Sequence, residues 1–246
     1  MNEYINLTLE NIEKEHICCA IGDPKHKSGV NAKKDWIKTK LEDGHVFRKL
    51  NAQGKIFIEY EPLESAWTPV SGDNFIYIYC LWVAGSFKGK GYAKELLEYA
   101  IDDAKKQGKN GICTISSKKK KPFISEKAFF EHYGFKKVDN IDDYELLSLS
   151  FNDKEPRFND CSRKMEISDK DFTIYYSPEC PYVSNCIVEL TEYSKENNIP
   201  LNMIKVDTLE KAKNVPCVFN NWANFKEGKF VSNNLLNKNV FEKLIK

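Results

Sequence analysis

The 246-residue chain carries 37 Lys and Arg residues against 36 Asp and Glu residues, a formal net charge of +1. A balance this even excludes recognition of nucleic acid or of an anionic membrane surface by net charge alone. Met1 to Asn6 lack the basic stretch and apolar core of a secretion signal. The apolar run Phe75 to Ala84 is shorter than the roughly 20 residues that a membrane helix needs, so no membrane partner is expected.

The eight cysteines are scattered along the chain, without the dense spacing of a disulfide-stapled secreted domain. They do not pair with the four histidines at zinc-finger spacing, so a structural metal is not expected. A reducing cytoplasm is the expected compartment.

The first half of the N-terminal region alternates between strand-like and helix-like segments. The short apolar stretch Ile17 to Ile21 is compatible with either. Apolar residues at helical spacing then predict a helix over residues 31–41, and two β-rich runs around the turn Asn51 to Gly54 predict a hairpin. The segment Asn74 to Val83 is dense in aromatic and β-branched residues, which predicts a strand.

The elements that follow complete one mixed domain. An amphipathic pattern predicts a helix from Tyr92 to Gln107, and Ile112 to Ser116 predicts a buried strand. Ser125 is placed to cap a short helix that ends near Tyr133. Two closing strands then finish an α/β (α+β) domain over residues 1–151.

Residues 152–170 are polar, carry charges of both signs and include Pro156, which predicts a linker. Beyond this linker the alternation resumes and predicts a second, smaller αβ domain over residues 171–246. Its predicted elements are strand Phe172–Tyr176, helix Pro181–Asn197, strand Leu201–Val206, a short helix near Leu209–Ala212, strands Cys217–Phe219 and Lys229–Ser232, and a final helix from about Asn239.

A glycine- and lysine-rich loop joins the predicted strand to the predicted helix, in the segment Lys88-Gly89-Lys90-Gly91-Tyr92-Ala93. Glycine lets the backbone approach a pyrophosphate, which the N–H groups and the positive dipole end of a helix start can bind. The spacing fits neither a P-loop nor a Rossmann turn. The alternative is a solvated lysine-rich loop beside an ordinary crossover helix.

This segment resembles the acetyl-CoA signature of the GNAT acetyltransferases. In this signature, Gln or Arg is followed after two residues by Gly, and after one more residue by Gly or Ala. Gly91 and Ala93 match, and Lys88 stands in the first position as a conservative departure. The resemblance extends over residues 1–151 in element order. It implies the GNAT acyltransferase fold, acetyl-CoA as the co-substrate, and a cofactor site built from Leu81, Trp82, Val83, Lys88, Gly89, Lys90, Gly91, Tyr92 and Ala93.

Within that family, Leu81-Trp82-Val83 resembles the splayed strand whose backbone pairs with the pantetheine arm. The resemblance also implies that an acceptor amine attacks the thioester directly in a ternary complex. A backbone N–H near Trp82 or Val83 then stabilises the oxyanion.

The acid that protonates the leaving sulfur is often a tyrosine four residues before the Gly of a terminal Gly-Phe pair. Here that pair is Gly134-Phe135, and the position holds Phe130. Tyr133 lies three residues further on and becomes the candidate acid if the helix end is distorted, with a structural role as the alternative.

Glu59, on the strand before the cofactor strand, is the candidate base, and a solvated strand carboxylate is the alternative. The acceptor is expected to be a small-molecule or peptide amine, which the sequence does not name. The oligomeric state is not predicted.

The C-terminal region places Cys180 between a strand and a helix start, where the helix dipole lowers a thiol pKa. The segment around Pro216-Cys217 resembles the cis-proline turn of glutaredoxins, and such a turn brings Cys217 toward Cys180. These features resemble a thioredoxin-like fold over residues 171–246. Val183 occupies the place of the second active-site cysteine, so a dithiol oxidoreductase is not expected.

A GNAT domain followed by this kind of tail resembles acetyltransferases that carry a YoaP-like C-terminal domain. The leading functional hypothesis is therefore an N-acetyltransferase. Two alternatives remain: a thioredoxin-like thiol protein with a regulatory acyl-CoA-binding domain, and a non-catalytic acyl-CoA-binding module.

Overall fold

The structure is a computed structural model that describes residues 3–17, 20 and 22–246. Residues 18, 19 and 21 of the apolar stretch Ile17 to Ile21 therefore lie outside the described residues, as do residues 1 and 2. The chain divides into two compact units. The first unit comprises the described part of Met1–Ile21, Ile37–Ala66 and Val70–Phe158, and the second comprises Gly22–Trp36, Trp67–Pro69 and Asn159–Lys246.

The first unit is a mixed sheet with helices. Its strands are β1 (Tyr4–Asn6), β2 (Val46–Leu50), β3 (Ile56–Pro62), β4 (Val70–Ser71), β5 (Phe75–Val83), β6 (Gly111–Ser117), β7 (Lys136–Ile141), β8 (Tyr144–Ser150) and β9 (Arg157–Phe158). Its helices are α2 (Tyr92–Lys106) and α3 (Lys127–His132), and it shares with the second unit the helix α1 (Lys27–Lys40).

Seven of these strands form one sheet in the order β1-β2-β3-β5-β6-β8-β7. Neighbours are antiparallel, with the exception of β5 and β6, which are parallel because helix α2 connects them as a crossover. Strands β4 and β9 form a separate antiparallel pair.

Helix α2 packs its apolar stripe against this sheet, which confirms the helix expected from the sequence pattern. The side chains that meet in this core include Leu96, Leu97, Ala100 and Ala104 from the helix and Ile56, Ile58, Ile76 and Ile78 from β3 and β5.

The second unit contains a four-stranded sheet of its own. Its elements are β10 (Phe172–Tyr176), α4 (Val183–Glu196), β11 (Leu201–Lys205), α5 (Leu209–Lys213), β12 (Trp222–Lys226), β13 (Lys229–Ser232) and α6 (Lys238–Ile245). The strand order is β11-β10-β12-β13, with β10 parallel to β11 and antiparallel to β12. Helix α4 crosses between the two parallel strands.

The expected strand Cys217–Phe219 is wrong, and the strand in this region is Trp222–Lys226. Residues 217–219 are fully buried, but side chains rather than a strand ladder satisfy the carbonyl groups of Val218 and Phe219. Asn233 donates to the Val218 carbonyl at 2.7 Å, and Thr68 donates to the Phe219 carbonyl at 3.3 Å.

The cis peptide bond expected before Pro216 is also wrong, because every peptide bond in the described parts of the chain is trans. The segment 152–170, expected to be a linker, contains strand β9 and a 3₁₀ helix at Asp160–Arg163. Across residues 3–17, 20 and 22–246, no helix combines the length and apolar character needed to cross a bilayer.

Candidate functional site

Strand β5 separates from its parallel neighbour β6 after three residue pairs, the last of which joins Tyr77 to Cys113. The rest of β5 stays paired with β3 on its other edge. A register shift in that pairing leaves Tyr79 as an extra residue, which is a β-bulge. Bulges bend a strand and increase its twist. The edge of β5 from Leu81 to Val83 is consequently open, and its backbone groups are available to an extended ligand.

The chain then turns into helix α2 through glycines with left-handed backbone geometry. Gly89 and Gly91 have φ values of 73° and 85°, which side-chain-bearing residues rarely adopt. No described atom lies within 4 Å of a Cβ built at either position, so the space beside the turn is open.

Gly91 is the N-cap of helix α2, and the first intrahelical hydrogen bond runs from the Glu95 N–H to the Gly91 carbonyl at 3.1 Å. The N–H groups of Tyr92, Ala93 and Lys94 therefore have no acceptor within the helix. These N–H groups and the positive end of the helix dipole form a site suited to an anionic group such as a phosphate.

The residues expected to bind the cofactor occupy this open edge and this turn. Leu81 and Val83 are half-buried and pack against the core, whereas Trp82 points outward with 45% of its surface exposed. Lys88, Gly89 and Lys90 are exposed beside the turn. The structure thus brings an open strand edge and an anion site into direct succession along the chain.

Phe130, at the position where the family resemblance places a tyrosine, is 2% exposed. Its ring packs against Phe129 and Phe135, with centroid separations of 5.3 and 5.1 Å. The side chain is part of the core that holds helix α3 against the sheet.

Tyr133 is the C-cap of α3, with φ −96° and ψ 18°. This geometry lies outside the α-helical region, and the Tyr133 N–H donates to the Phe130 carbonyl at 3.0 Å, so the helix ends at this residue. The ring is half-buried against Phe129, with centroids 5.0 Å apart. Among the described residues, its hydroxyl has no hydrogen-bond partner.

Glu59, the candidate base, is 1% exposed and lies in a buried ionic cluster rather than in solvent. We call this group the His45 cluster and define it as Lys40, His45, Glu59, Glu61 and Tyr79. His45 Nε2 lies 3.2 Å from Glu59 Oε1, and His45 Nδ1 lies 3.1 Å from Glu61 Oε2. Tyr79, the bulged residue, donates its hydroxyl to Glu61 Oε1 at 2.5 Å, and Lys40 Nζ lies 3.7 Å from Glu61 Oε2.

Two opposing effects act on the pKa of the His45 imidazole. Burial lowers its pKa, but the hydrogen bonds and charges of Glu59 and Glu61 raise it more, so the pKa lies above its ordinary value. The raised pKa favours the imidazolium form between the two carboxylates, and in that form the cluster is a charge-compensated network.

Glu59 is recognisable in the sequence as a candidate, but the other four members of this cluster are not. They are spread between positions 40 and 79: Glu61 and Tyr79 lie on the paired strands β3 and β5, His45 directly precedes β2, and Lys40 ends helix α1. One signal was present in the sequence: Glu59 and Glu61 alternate with Ile58 and Tyr60 on one strand, which placed both carboxylates on the same face.

Cys180, in the second unit, is 8% exposed at the turn that precedes helix α4. Residues from the N-terminal part of the sequence pack on this turn. The His26 ring lies edge-on to Tyr182 with centroids 4.5 Å apart, and Asn185 contacts His26 Nδ1 at 3.1 Å. A Cβ built at Gly29 falls 1.9 Å from the Pro181 carbonyl oxygen, so glycine is required for this close approach.

Comparison with known proteins gives two family matches. The Acetyltransferase (GNAT) family model matches residues 18–135, and the YoaP-like model matches residues 200–243. A curated relative, the uncharacterized N-acetyltransferase YoaP of Bacillus subtilis strain 168, is 39% identical over 245 residues, which cover 98% of each chain.

Solved structures with similar folds are more distant. A GNAT-family acetyltransferase from Staphylococcus aureus Mu50 is 17% identical, with a TM-score of 0.44 over 62% of this chain and 100% of the other. A Brucella melitensis GNAT acetyltransferase in complex with acetyl-CoA is 12% identical, with a TM-score of 0.42 over 65% and 94%. The PaiA N-acetyltransferase of Thermoplasma acidophilum in complex with coenzyme A is 17% identical, with a TM-score of 0.43 over 61% and 99%.

An open strand edge that leads into a glycine turn and a helix N-terminus defines a protein that binds an extended, phosphate-bearing ligand. The 39% identity to the Bacillus subtilis relative extends over 98% of each chain. The chain therefore belongs to the GNAT family of acetyltransferases and carries a YoaP-like C-terminal domain.

Proposed function

We propose that this chain transfers the acetyl group of acetyl-CoA to an amine acceptor, a small molecule or a peptide, in a ternary complex. The observation that carries the proposal is the separation of β5 from β6 beside the open Gly91 turn. The N–H groups at the start of α2, with Lys88 and Lys90, suit the pyrophosphate. The open edge of β5 from Leu81 to Val83 suits the amides of the pantetheine arm.

The bound co-substrate supplies an acetyl group activated as a thioester. Attack by the amine nitrogen forms the C–N bond, and the C–S bond breaks as the thiolate leaves. A backbone N–H near Trp82 or Val83 is proposed to donate to the oxygen that becomes negative. Tyr133 is proposed to give its proton to the sulfur, because the residue is half-buried and its hydroxyl has no partner among the described residues.

Glu59 is proposed to accept the proton that the amine loses. Since its carboxylate is buried against His45, the proton must pass through the His45 cluster, in which Tyr79, at 9% exposed, is the residue most open to solvent.

Two further assignments belong to this proposal. The domains are taken as residues 1–151 for acetyl transfer, 152–170 as the connection, and 171–246 as a thioredoxin-like domain. The strand order β11-β10-β12-β13 with its crossover helix α4 supports the thioredoxin-like assignment. The compartment is taken as the cytoplasm, supported by the thiol state of the described cysteines.

The proposal is tested by following CoA release chromatographically with acetyl-CoA and a panel of small-molecule and peptide amines. Acetylated product that forms with release of one CoA per amine supports it. Saturable binding of acetyl-CoA with no amine-dependent release contradicts it and identifies a non-catalytic binding module instead.

Tyr133→Phe tests the proposed acid. We expect kcat to fall about 100-fold because the thiolate leaves without a proton, while the Kd for acetyl-CoA is unchanged. Tyr193→Phe, which changes a half-buried tyrosine of the second unit, is the matched control and should keep kcat. An unchanged kcat in Tyr133→Phe would assign Tyr133 to packing alone.

A further inference from the structure

The point at which β5 and β6 separate is marked by a buried hydroxyl that the family signature does not include. Backbone pairing between the strands ends at Tyr77 and Cys113, and the next residue of β6 is Thr114. Thr114 is 1% exposed. Its Oγ1 donates to the Ile78 carbonyl at 3.0 Å, where an unbroken ladder would place a backbone N–H.

The same oxygen lies 3.0 Å from Ser125 Oγ. Because the Thr114 proton is directed to the Ile78 carbonyl, Ser125 is the donor in this second contact. Ser125 is held in turn, since its carbonyl accepts from Ser116 Oγ at 2.7 Å. The sequence predicted Ser125 as a helix cap, but the residue at the N-cap of α3 is Glu126, and the Ser125 side chain belongs to this chain of hydroxyls.

This chain of hydroxyls lies where β5 and β6 separate, so it affects the strand edge to which a ligand would bind. Residues 114–117 of β6 remain paired with β8 on the far edge, so β6 itself is fixed. The last residue of β5 tied to β6 is Ile78, and the bulge at Tyr79 follows immediately. The hydroxyl bridge therefore lies where the parallel pairing ends, immediately before the bulge that leads to the open edge from Leu81 to Val83.

We propose that Thr114 is a positioning residue for acetyl-CoA: its hydroxyl bridge from Ser125 to the Ile78 carbonyl fixes where β5 leaves β6 and keeps the backbone of residues 81–83 available to the pantetheine arm. This inference rests on the proposed function and adds the residue that sets the shape of the cofactor cleft. Thr114 does not touch the reacting atoms.

Thr114→Val keeps the shape of the side chain and removes the hydroxyl, whereas Thr114→Ser keeps the hydroxyl. In Thr114→Val the Ile78 carbonyl and the Ser125 hydroxyl lose their shared partner, so the strands are no longer held at the observed separation. We expect the Kd for acetyl-CoA to rise about tenfold in Thr114→Val and to stay within about twofold in Thr114→Ser, as measured by calorimetry.

A second ligand separates positioning from general loss of structure. The nucleotide portion of CoA carries the pyrophosphate but no pantetheine arm, so its affinity for the Gly91 turn should be the same in Thr114→Val and in the unchanged protein. Equal loss of affinity for both ligands, or no loss for acetyl-CoA, overturns the positioning role. If the unchanged protein itself does not bind acetyl-CoA, the proposed function fails, whatever the result at Thr114.

Discussion

Gly91→Val is expected to weaken acetyl-CoA binding roughly 100-fold while the first unit stays folded. A valine at φ 85° is strained by about 1–2 kcal/mol, so the turn shifts and the N–H groups at the start of α2 change direction. Loss of two hydrogen bonds to a charged phosphate costs about 3 kcal/mol, which corresponds to a roughly 100-fold rise in Kd. The Kd is measured by calorimetry on the full chain.

Gly108→Val is the matched control for this variant. Gly108 follows the other end of the same helix, with φ 66° and no described atom within 4 Å of a built Cβ. The control should lose a similar amount of stability and keep its affinity for acetyl-CoA. Equal affinities in the two variants would show that the ligand binds elsewhere.

His45→Leu is expected to lower the free energy of unfolding by about 3–5 kcal/mol, because the substitution leaves Glu59 and Glu61 buried without the imidazolium between them. The measurement is urea unfolding followed by tryptophan fluorescence. His132→Leu, at an exposed histidine of helix α3, is the control and should change stability by less than about 0.5 kcal/mol.

The raised pKa of His45 also predicts the direction in which the free energy of unfolding changes with pH. Because the folded pKa of His45 is raised, its contribution is fully present below the ordinary histidine pKa of about 6.5 and is lost as the pH rises through the folded pKa. The unchanged protein should therefore lose stability as the pH rises from about 6.5 through the folded pKa, and His45→Leu should lack that loss. The same decline in both proteins, or equal stability at neutral pH, would contradict the assignment.

The sequence predicts the elements whose signals are local. Helix α2 follows from its apolar spacing, and the glycine turn follows from residues that stand side by side between Lys88 and Ala93. Both depend on neighbours within a few positions, where periodicity and backbone preference act. The strand that precedes them is equally recognisable from its composition.

The parts that the sequence does not predict depend on pairing between distant segments. Glu59 has the pattern of a solvated strand carboxylate, and the register that brings His45 and Glu61 to it is set by β2 and β3. Similarly, residues 217–219 have a strand-like composition, but the buried Asn233 and Thr68 side chains occupy their carbonyls. In both cases the local sequence does not identify the residues that make these contacts.

Binding of acetyl-CoA by the first unit, at the open edge of β5 and at the Gly91 turn, is measured by titrating acetyl-CoA into the full chain in a calorimeter. We expect saturable binding of one acetyl-CoA per chain and a melting temperature that rises with ligand concentration. At 100 times the Kd, the stabilisation should be about 2.7 kcal/mol. Absence of binding heat together with an unchanged melting temperature at saturating acetyl-CoA would contradict the account.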